Sequence, residues 1–186
     1  MKIVGKNKIK GALNMNELME TVDEQVEDMQ HGRYLTFSLE KEEFGIAINY
    51  VNEIIGMQKI NDIPEVSSFV KGIINLRGSI IPIIDMRLKF KKQPAEYDDR
   101  TCIVIVDIDG ISAGLIVDKV AEVINIDDSA ISPPPDFRTG FQNRYINGIG
   151  KLEDSVILLL DCEKLFKEDE FEEIVQHQQP QLAQAQ

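Results

Sequence analysis

From Tyr34 to Phe166 the hydrophobic residues fall into short runs rich in Val and Ile, separated by Gly, Asp, Asn and Pro, a pattern that predicts β-strands with few helices. The pattern also recurs. A shift of 69 residues lays Tyr34–Ile55 over Ile103–Ile124, with Gly45/Gly114, Val51/Val120, Glu53/Glu122 and Ile55/Ile124 identical. A shift of 76 lays Gly72–Phe90 over Gly148–Phe166 with seven identities in 19 positions. Each unit therefore follows one plan: a strand (Tyr34–Leu39, Cys102–Ile108), a tight turn, a second strand, a short segment around Val51 or Val120, a hairpin (Gly72–Ile84, Gly148–Leu160), and an Asp (Asp85, Asp161) placed to cap the short segment after it. The Val51 segment is β-branched, yet Val51, Ile54 and Ile55 are spaced like one helical turn, so strand and helix both remain open there. Five strands per unit, with edges that need covering, predict a mostly β protein of two pseudo-duplicated five-stranded β-barrels packed side by side, the first over about 33–90 and the second over about 101–166, with short helical segments and flanking helices.

The flanks differ from this body. Residues 1–32 form an N-terminal extension in which Met15, Leu18, Met19, Val22, Val26 and Met29 share one helical face opposite Glu20, Asp23, Glu24, Glu27 and Asp28. Residues 167–186 form an acidic, Gln-rich tail of low complexity; a helix through Phe171, Ile174 and Val175 is expected to give way to disorder. Between its two matching blocks the second unit has seven residues more than the first. That insertion holds Pro133, Pro134, Pro135, Phe137 and Phe141, a stiff rod that either delivers an aromatic to a partner or packs it back on its own barrel.

Composition narrows the chemistry. The 186 residues carry 20 basic and 32 acidic side chains, a net charge of −12, and residues 31–166 alone carry 15 and 21. That sign opposes binding to a phosphate backbone or an anionic membrane surface, so no nucleic-acid partner and no direct membrane insertion are expected. No apolar stretch approaches the roughly 20 residues of a membrane helix and no signal-peptide core opens the chain, so a cytoplasmic location is expected. Cys102 and Cys162 lie in apolar runs and read as small hydrophobes; His31 and His177 lie outside the apolar body. With no phosphate loop, dinucleotide fingerprint, nucleophile elbow or zinc spacing, no cofactor, no metal and no enzymatic activity are expected. Catalysis by Asp85 and Asp161 is the competing reading, but their equivalent positions in two units favour a capping role. A barrel that binds single-stranded nucleic acid is a third, against the charge.

The two hairpin tips differ where chemistry is concerned. The first reads Asn75-Leu76-Arg77-Gly78-Ser79 and the second Lys151-Leu152-Glu153-Asp154-Ser155. Gly78 and Asp154 both tolerate the left-handed backbone of a tight turn, but turn geometry does not explain Arg77 against Glu153. An Arg on a rigid tip makes a mixed apolar and charged patch that suits a protein interface if the segment carrying Val51 and Glu53 lies nearby; a solvated surface Arg meets the same pattern.

The run from Val70 to Arg87, VKGIINLRGSIIPIIDMR, resembles the central signature of the CheW family of bacterial chemotaxis coupling proteins. The likeness extends over roughly Arg33–Phe166, including Glu43-Phe44-Gly45-Ile46, Val51-Asn52-Glu53-Ile54, Asp136-Phe137 and Tyr145-Ile146-Asn147-Gly148-Ile149-Gly150. The resemblance implies a non-enzymatic adaptor with two barrels, joining the cytoplasmic tip of methyl-accepting chemotaxis receptors to the regulatory domain of the histidine kinase CheA, and recruited to membrane receptor arrays. It places receptor contacts on Ile48, Val51, Glu53 and Arg77. It places kinase contacts on Phe137 and on the Lys71-Gly72 neighbourhood. A scaffold of the same kind serving a chemosensory kinase with an output other than motility is the alternative.

Overall fold

A computed structural model describes residues 30–108, 110–134, 144–152 and 155–166. The chain divides into residues 1–31 and Gly32–Gln186, and the architecture below belongs to the second. The N-terminal amphipathic segment, the C-terminal tail, Phe137, Phe141 and the second tip at Glu153-Asp154 lie outside the described residues.

Among the described residues eleven strands form the body: β1 (Arg33–Leu39), β2 (Glu42–Ala47), β3 (Val51–Gly56), β4 (Val70–Leu76), β5 (Ser79–Asp85), β6 (Cys102–Ile108), β7 (Ile111–Val117), β8 (Lys119–Asn125), β9 (Ile131–Ser132), β10 (Ile146–Lys151) and β11 (Val156–Leu160). Two short helices, α1 (Met86–Lys89) and α2 (Cys162–Phe166), follow β5 and β11. Each starts at the expected Asp. The Asp85 carboxylate accepts the Arg87 and Leu88 N–H groups, and that of Asp161 accepts the Lys164 N–H, so both acids satisfy helix donors that would otherwise be orphaned. Tyr97 Oη also donates to Asp85 at 2.8 Å. These are the carboxylates the enzyme reading would have used.

The mostly β class and the two-sheet layout agree with the sequence, but the sheets do not follow the repeat. One sheet has the order β8-β1-β2-β11-β10-β9 and the other β3-β6-β7-β5-β4. The spans 33–90 and 101–166 are therefore not separate barrels. Each unit keeps its hairpins and then completes the other unit's sheet, through antiparallel β1/β8 and β3/β6 and parallel β2/β11 and β5/β7 pairings. Each of the first two strands of one unit thus pairs with a later strand of the other.

Nor do the ladders close into barrels. In the second sheet the edge strands β3 and β4 do not pair; the segment after β3 reaches β4 through an isolated bridge, Asn61 with Ile73, whose two hydrogen bonds are 2.8 and 2.9 Å. In the first sheet the edges β8 and β9 are joined by the chain itself across residues 126–130. The segment after Asn61 holds Pro64 and a left-handed Glu65 (φ 60°), which interrupt any longer strand there.

Three cores result. A large one between the sheets takes Leu35, Phe37, Phe44, Ile46, Val104, Val106, Leu115, Val117, Phe90 and Tyr145. A second lies within the curl of the second sheet, with Ile74, Ile81, Ile83, Ile103, Ile105 and Ile116. A smaller third, with Ile126, Ile157 and Leu159, fills the curl of the first sheet. Strand β6 faces two of them, which is why Cys102–Ile108 reads as a nearly unbroken apolar run. Gly114 is required by the curl it lines: an added Cβ would lie 2.5 Å from Ile83 Cδ1 and 2.8 Å from Ile103 Cγ2.

Candidate functional site

The tip of the β4–β5 hairpin is a two-residue turn, with Leu76 opposite Ser79 and both central residues left-handed: Arg77 at φ 53° and Gly78 at φ 93°. This is the geometry of a type I′ turn, where Asn or Asp ordinarily precedes Gly. Asn75 Oδ1 accepts the Gly78 N–H at 2.9 Å and fixes the loop. An Arg held left-handed costs about 1–2 kcal/mol, so the residue type at position 77 is not chosen by the turn.

From this tip the Arg77 guanidinium reaches Glu53 as a fork, with Nη1 to Oε1 and Nη2 to Oε2 both at 2.8 Å. Glu53 belongs to β3, the opposite edge of the same sheet, so the pair spans the mouth of the curl. The Arg77 side chain is 76% exposed and that of Glu53 27%, so the pair contributes only about 0.2–1 kcal/mol to stability. Its main effect is geometric, since two parallel hydrogen bonds hold a planar cation at a defined place on the surface.

Val51 and Glu53 are separated by a β-bulge. The register of β3 against β6 runs Val51 with Val106 and then Glu53 with Ile105, leaving Asn52 as the extra residue. Val51 therefore packs on the inter-sheet core with Ile48, while Glu53, opposite Ile105, lies on the curl side. Ile48 comes from the 3-10 turn Ile48–Tyr50 that carries the chain from β2 to β3. The second unit has its bulge at the same place in β8, where Thr36 Oγ1 donates to the Glu122 carbonyl at 2.8 Å and accepts its N–H at 3.2 Å.

Of the receptor contacts that the resemblance implied, the structure brings Glu53 and Arg77 into direct contact and puts Ile48 and Val51 together on the rim of the inter-sheet core. Lys71 and Gly72 sit at another bulge, in β4, where the register steps between Val70 and Gly72. Gly72 is buried with φ 130°, and a Cβ there would run into the Asn61 carbonyl. The glycine is thus required by the Asn61–Ile73 bridge, while Lys71 is half-buried. Beyond the hairpin tip, exposed Ile80 and Ile54 add apolar surface in the same sheet, neither of them among the contacts the resemblance implied.

The rest of the surface offers little reactive chemistry. Burial pushes the Cys162 thiol up to about 12, with Asp161 adding to it, and burial also raises that of half-buried Cys102. Among the described residues no three His, Cys, Asp or Glu side chains group to hold a metal ion, and no helix is long and apolar enough to cross a membrane.

Comparison with known proteins gives one consistent result. The family model of the CheW-like domain matches residues 33–170. A chemotaxis protein CheW from Klebsiella aerogenes is 37% identical over 137 residues, covering 74% of this chain and 82% of that protein. One from Treponema pallidum is 35% identical over 144 residues, covering 75% and 85%. The crystal structure of the scaffolding protein TtCheW from Thermoanaerobacter tengcongensis superposes with a TM-score of 0.69 at 40% identity, covering 74% of this chain and 94% of that one.

Proposed function

The chain belongs to the CheW-like family, and from that premise we propose that it is a chemotaxis coupling protein, a non-enzymatic adaptor that links methyl-accepting receptors to the histidine kinase CheA and is recruited to receptor arrays. The observation that carries the site is the left-handed Arg77 held by a two-bond fork to Glu53, on the strand whose other face sets Val51 with Ile48 on an apolar rim. A receptor tip is a helical hairpin. Such a ligand offers an apolar stripe for Ile48 and Val51 and polar side chains whose register the charged pair would fix. The kinase regulatory domain is proposed to meet Phe137 and the Lys71-Gly72 bulge, the latter at the end of β4 opposite the Arg77 tip, so that both partners bind at once.

Rigid surfaces suit this task better than a reactive pocket. The interleaved sheets tie each half of the surface to the other, so a load at one interface is felt at the second as a coupling free energy, typically 1–3 kcal/mol. The test is co-sedimentation of the purified chain with membranes bearing receptor and with soluble kinase. Recovery of the kinase with the membranes only when the chain is present supports coupling; equal recovery without the chain refutes it.

A further inference from the structure

Arg77 occupies a backbone conformation that its own side chain does not favour, and the fork to Glu53 does not account for it. By the magnitudes given above, an exposed pair of this kind at most matches the cost of a left-handed arginine. On that balance alone the turn would relax to negative φ at position 77, which splays the strands of a two-residue hairpin and carries the guanidinium away from Glu53. A further tie is needed to hold it. Asn75 supplies one, since its Oδ1 accepts the Gly78 N–H at 2.9 Å and closes a ring that spans Leu76 and Arg77.

The same clasp recurs in the β6–β7 hairpin, whose tip lies at the same end of the sheet because β5 and β7 run parallel. There Ile108 stands opposite Ile111, Gly110 is left-handed at φ 80°, and Asp107 Oδ1 accepts the Gly110 N–H at 3.0 Å. The two turns ask different things of it. Asp109-Gly110 is a dipeptide that suits a left-handed turn by itself, whereas Arg77-Gly78 is not. In the equivalent hairpin of the second unit, the shift of 76 puts Lys151, a side chain with no acceptor, in the place of Asn75, and Glu153 in that of Arg77. Within the repeat, the acceptor accompanies the arginine.

We propose that Asn75 is a positioning residue of the receptor site: it acts through Arg77, by holding the turn in the form from which the guanidinium both forks to Glu53 and faces a partner. Local bonds from an Asn side chain to a nearby backbone N–H select a turn conformation in this way. The inference rests on the receptor reading above and deepens it, because an arginine presented in one place binds without first being ordered.

Titration of the full chain against a soluble receptor-tip fragment, with NMR of the same samples, tests it. Asn75→Ala should weaken binding at least about fivefold, the equivalent of one ordinary hydrogen bond, while unfolding stays cooperative. Asn75→Asp, which restores an acceptor of the kind Asp107 supplies, should bind within about twofold of the parent. In an Arg77→Asn background the turn no longer needs the clasp and the guanidinium is gone, so adding Asn75→Ala should change affinity by less than about twofold. A residue that touched the receptor itself, or only stabilised the fold, would weaken both backgrounds alike. Without receptor, the Arg77 guanidinium N–H signals, slowed by the fork at mildly acidic pH, should be seen in the parent and in Asn75→Asp and be lost in Asn75→Ala. Unchanged affinity in Asn75→Ala, an equal loss in both backgrounds, failure of Asn75→Asp to restore binding, or guanidinium signals indifferent to Asn75→Ala would each overturn the positioning role. A parent chain that does not bind the fragment overturns the receptor reading instead, with the guanidinium signals still deciding whether Asn75 holds Arg77.

Discussion

Replacing Arg77 by Asn separates what the hairpin needs from what the surface does. Positions 77 and 78 are both left-handed, and Asn-Gly is the dipeptide best suited to such a turn. The change relieves part of a conformational cost of about 1–2 kcal/mol and loses an exposed ion pair worth about 0.2–1 kcal/mol. The two nearly cancel, so stability should stay within about 1 kcal/mol of the parent, tilted towards a gain; for a body of this size that is a Tm change of no more than about 4 °C. Binding should respond very differently. Losing an interface Arg commonly costs about 2 kcal/mol, or roughly 30-fold in Kd. Urea denaturation and titration against a soluble receptor-tip fragment measure both quantities on one sample. Unchanged affinity at unchanged stability would reject Arg77 as a contact. A drop of several degrees in Tm would show that the Glu53 fork holds the curl together and that position 77 is structural after all.

Other substitutions probe neighbouring parts of the structure. Arg77→Glu, which turns an acid towards Glu53, should abolish receptor binding and melt slightly below Arg77→Asn, since Glu keeps the left-handed cost and faces a like charge, while the fold stays intact. Gly114→Ala should cost about 1–3 kcal/mol, because its Cβ would meet Ile83 and Ile103 inside a filled curl, and Gly45→Ala should cost less, since its nearest neighbours are 3.0 and 3.2 Å away; paired thermal melts give the order. Phe137→Ala should impair kinase recovery and spare receptor affinity, whereas normal kinase binding with a lowered Tm would assign Phe137 to its own sheet. With its pKa raised to about 12 and its side chain buried, Cys162 should resist a thiol reagent at pH 8 until urea unfolds the chain; rapid labelling of the folded protein would contradict that burial.

Much of the architecture was written in the hydrophobic pattern, and what was not has definite causes. The duplication, the hairpins and the Asp caps are local features, and each appears where the pattern put it. The exchange of strands between units is not local. A recurring plan fixes which strands a unit contains but not whether β1 pairs with its own third strand or with the equivalent one, β8, because β3 and β8 present the same apolar pattern. The ambiguity around Val51 has a similarly concrete source. The bulge at Asn52 puts Val51 and Ile54 opposite Val106 and Val104, on one face of β3 at a spacing of three, which mimics a helical turn inside a strand. At the site, the resemblance named Glu53 and Arg77, but their joining depends on a sheet that curls until β3 faces the β4–β5 tip. The fork from Arg87 in α1 to Asp118, between β7 and β8, left no sequence signal, since the two lie 31 residues apart and are ordinary surface residue types.

The coupling role itself is tested most directly by following kinase autophosphorylation, with receptor and kinase fixed, while the chain is titrated from far below to far above their concentrations. A bridge that takes no chemical part raises activity to an optimum and then lowers it, as receptor–chain and chain–kinase pairs outnumber the three-way complex. The optimum should be lost in Arg77→Glu. A rise that only saturates or grows in proportion to added chain, or stimulation that survives loss of both Arg77 and Phe137, would contradict coupling through two simultaneous interfaces.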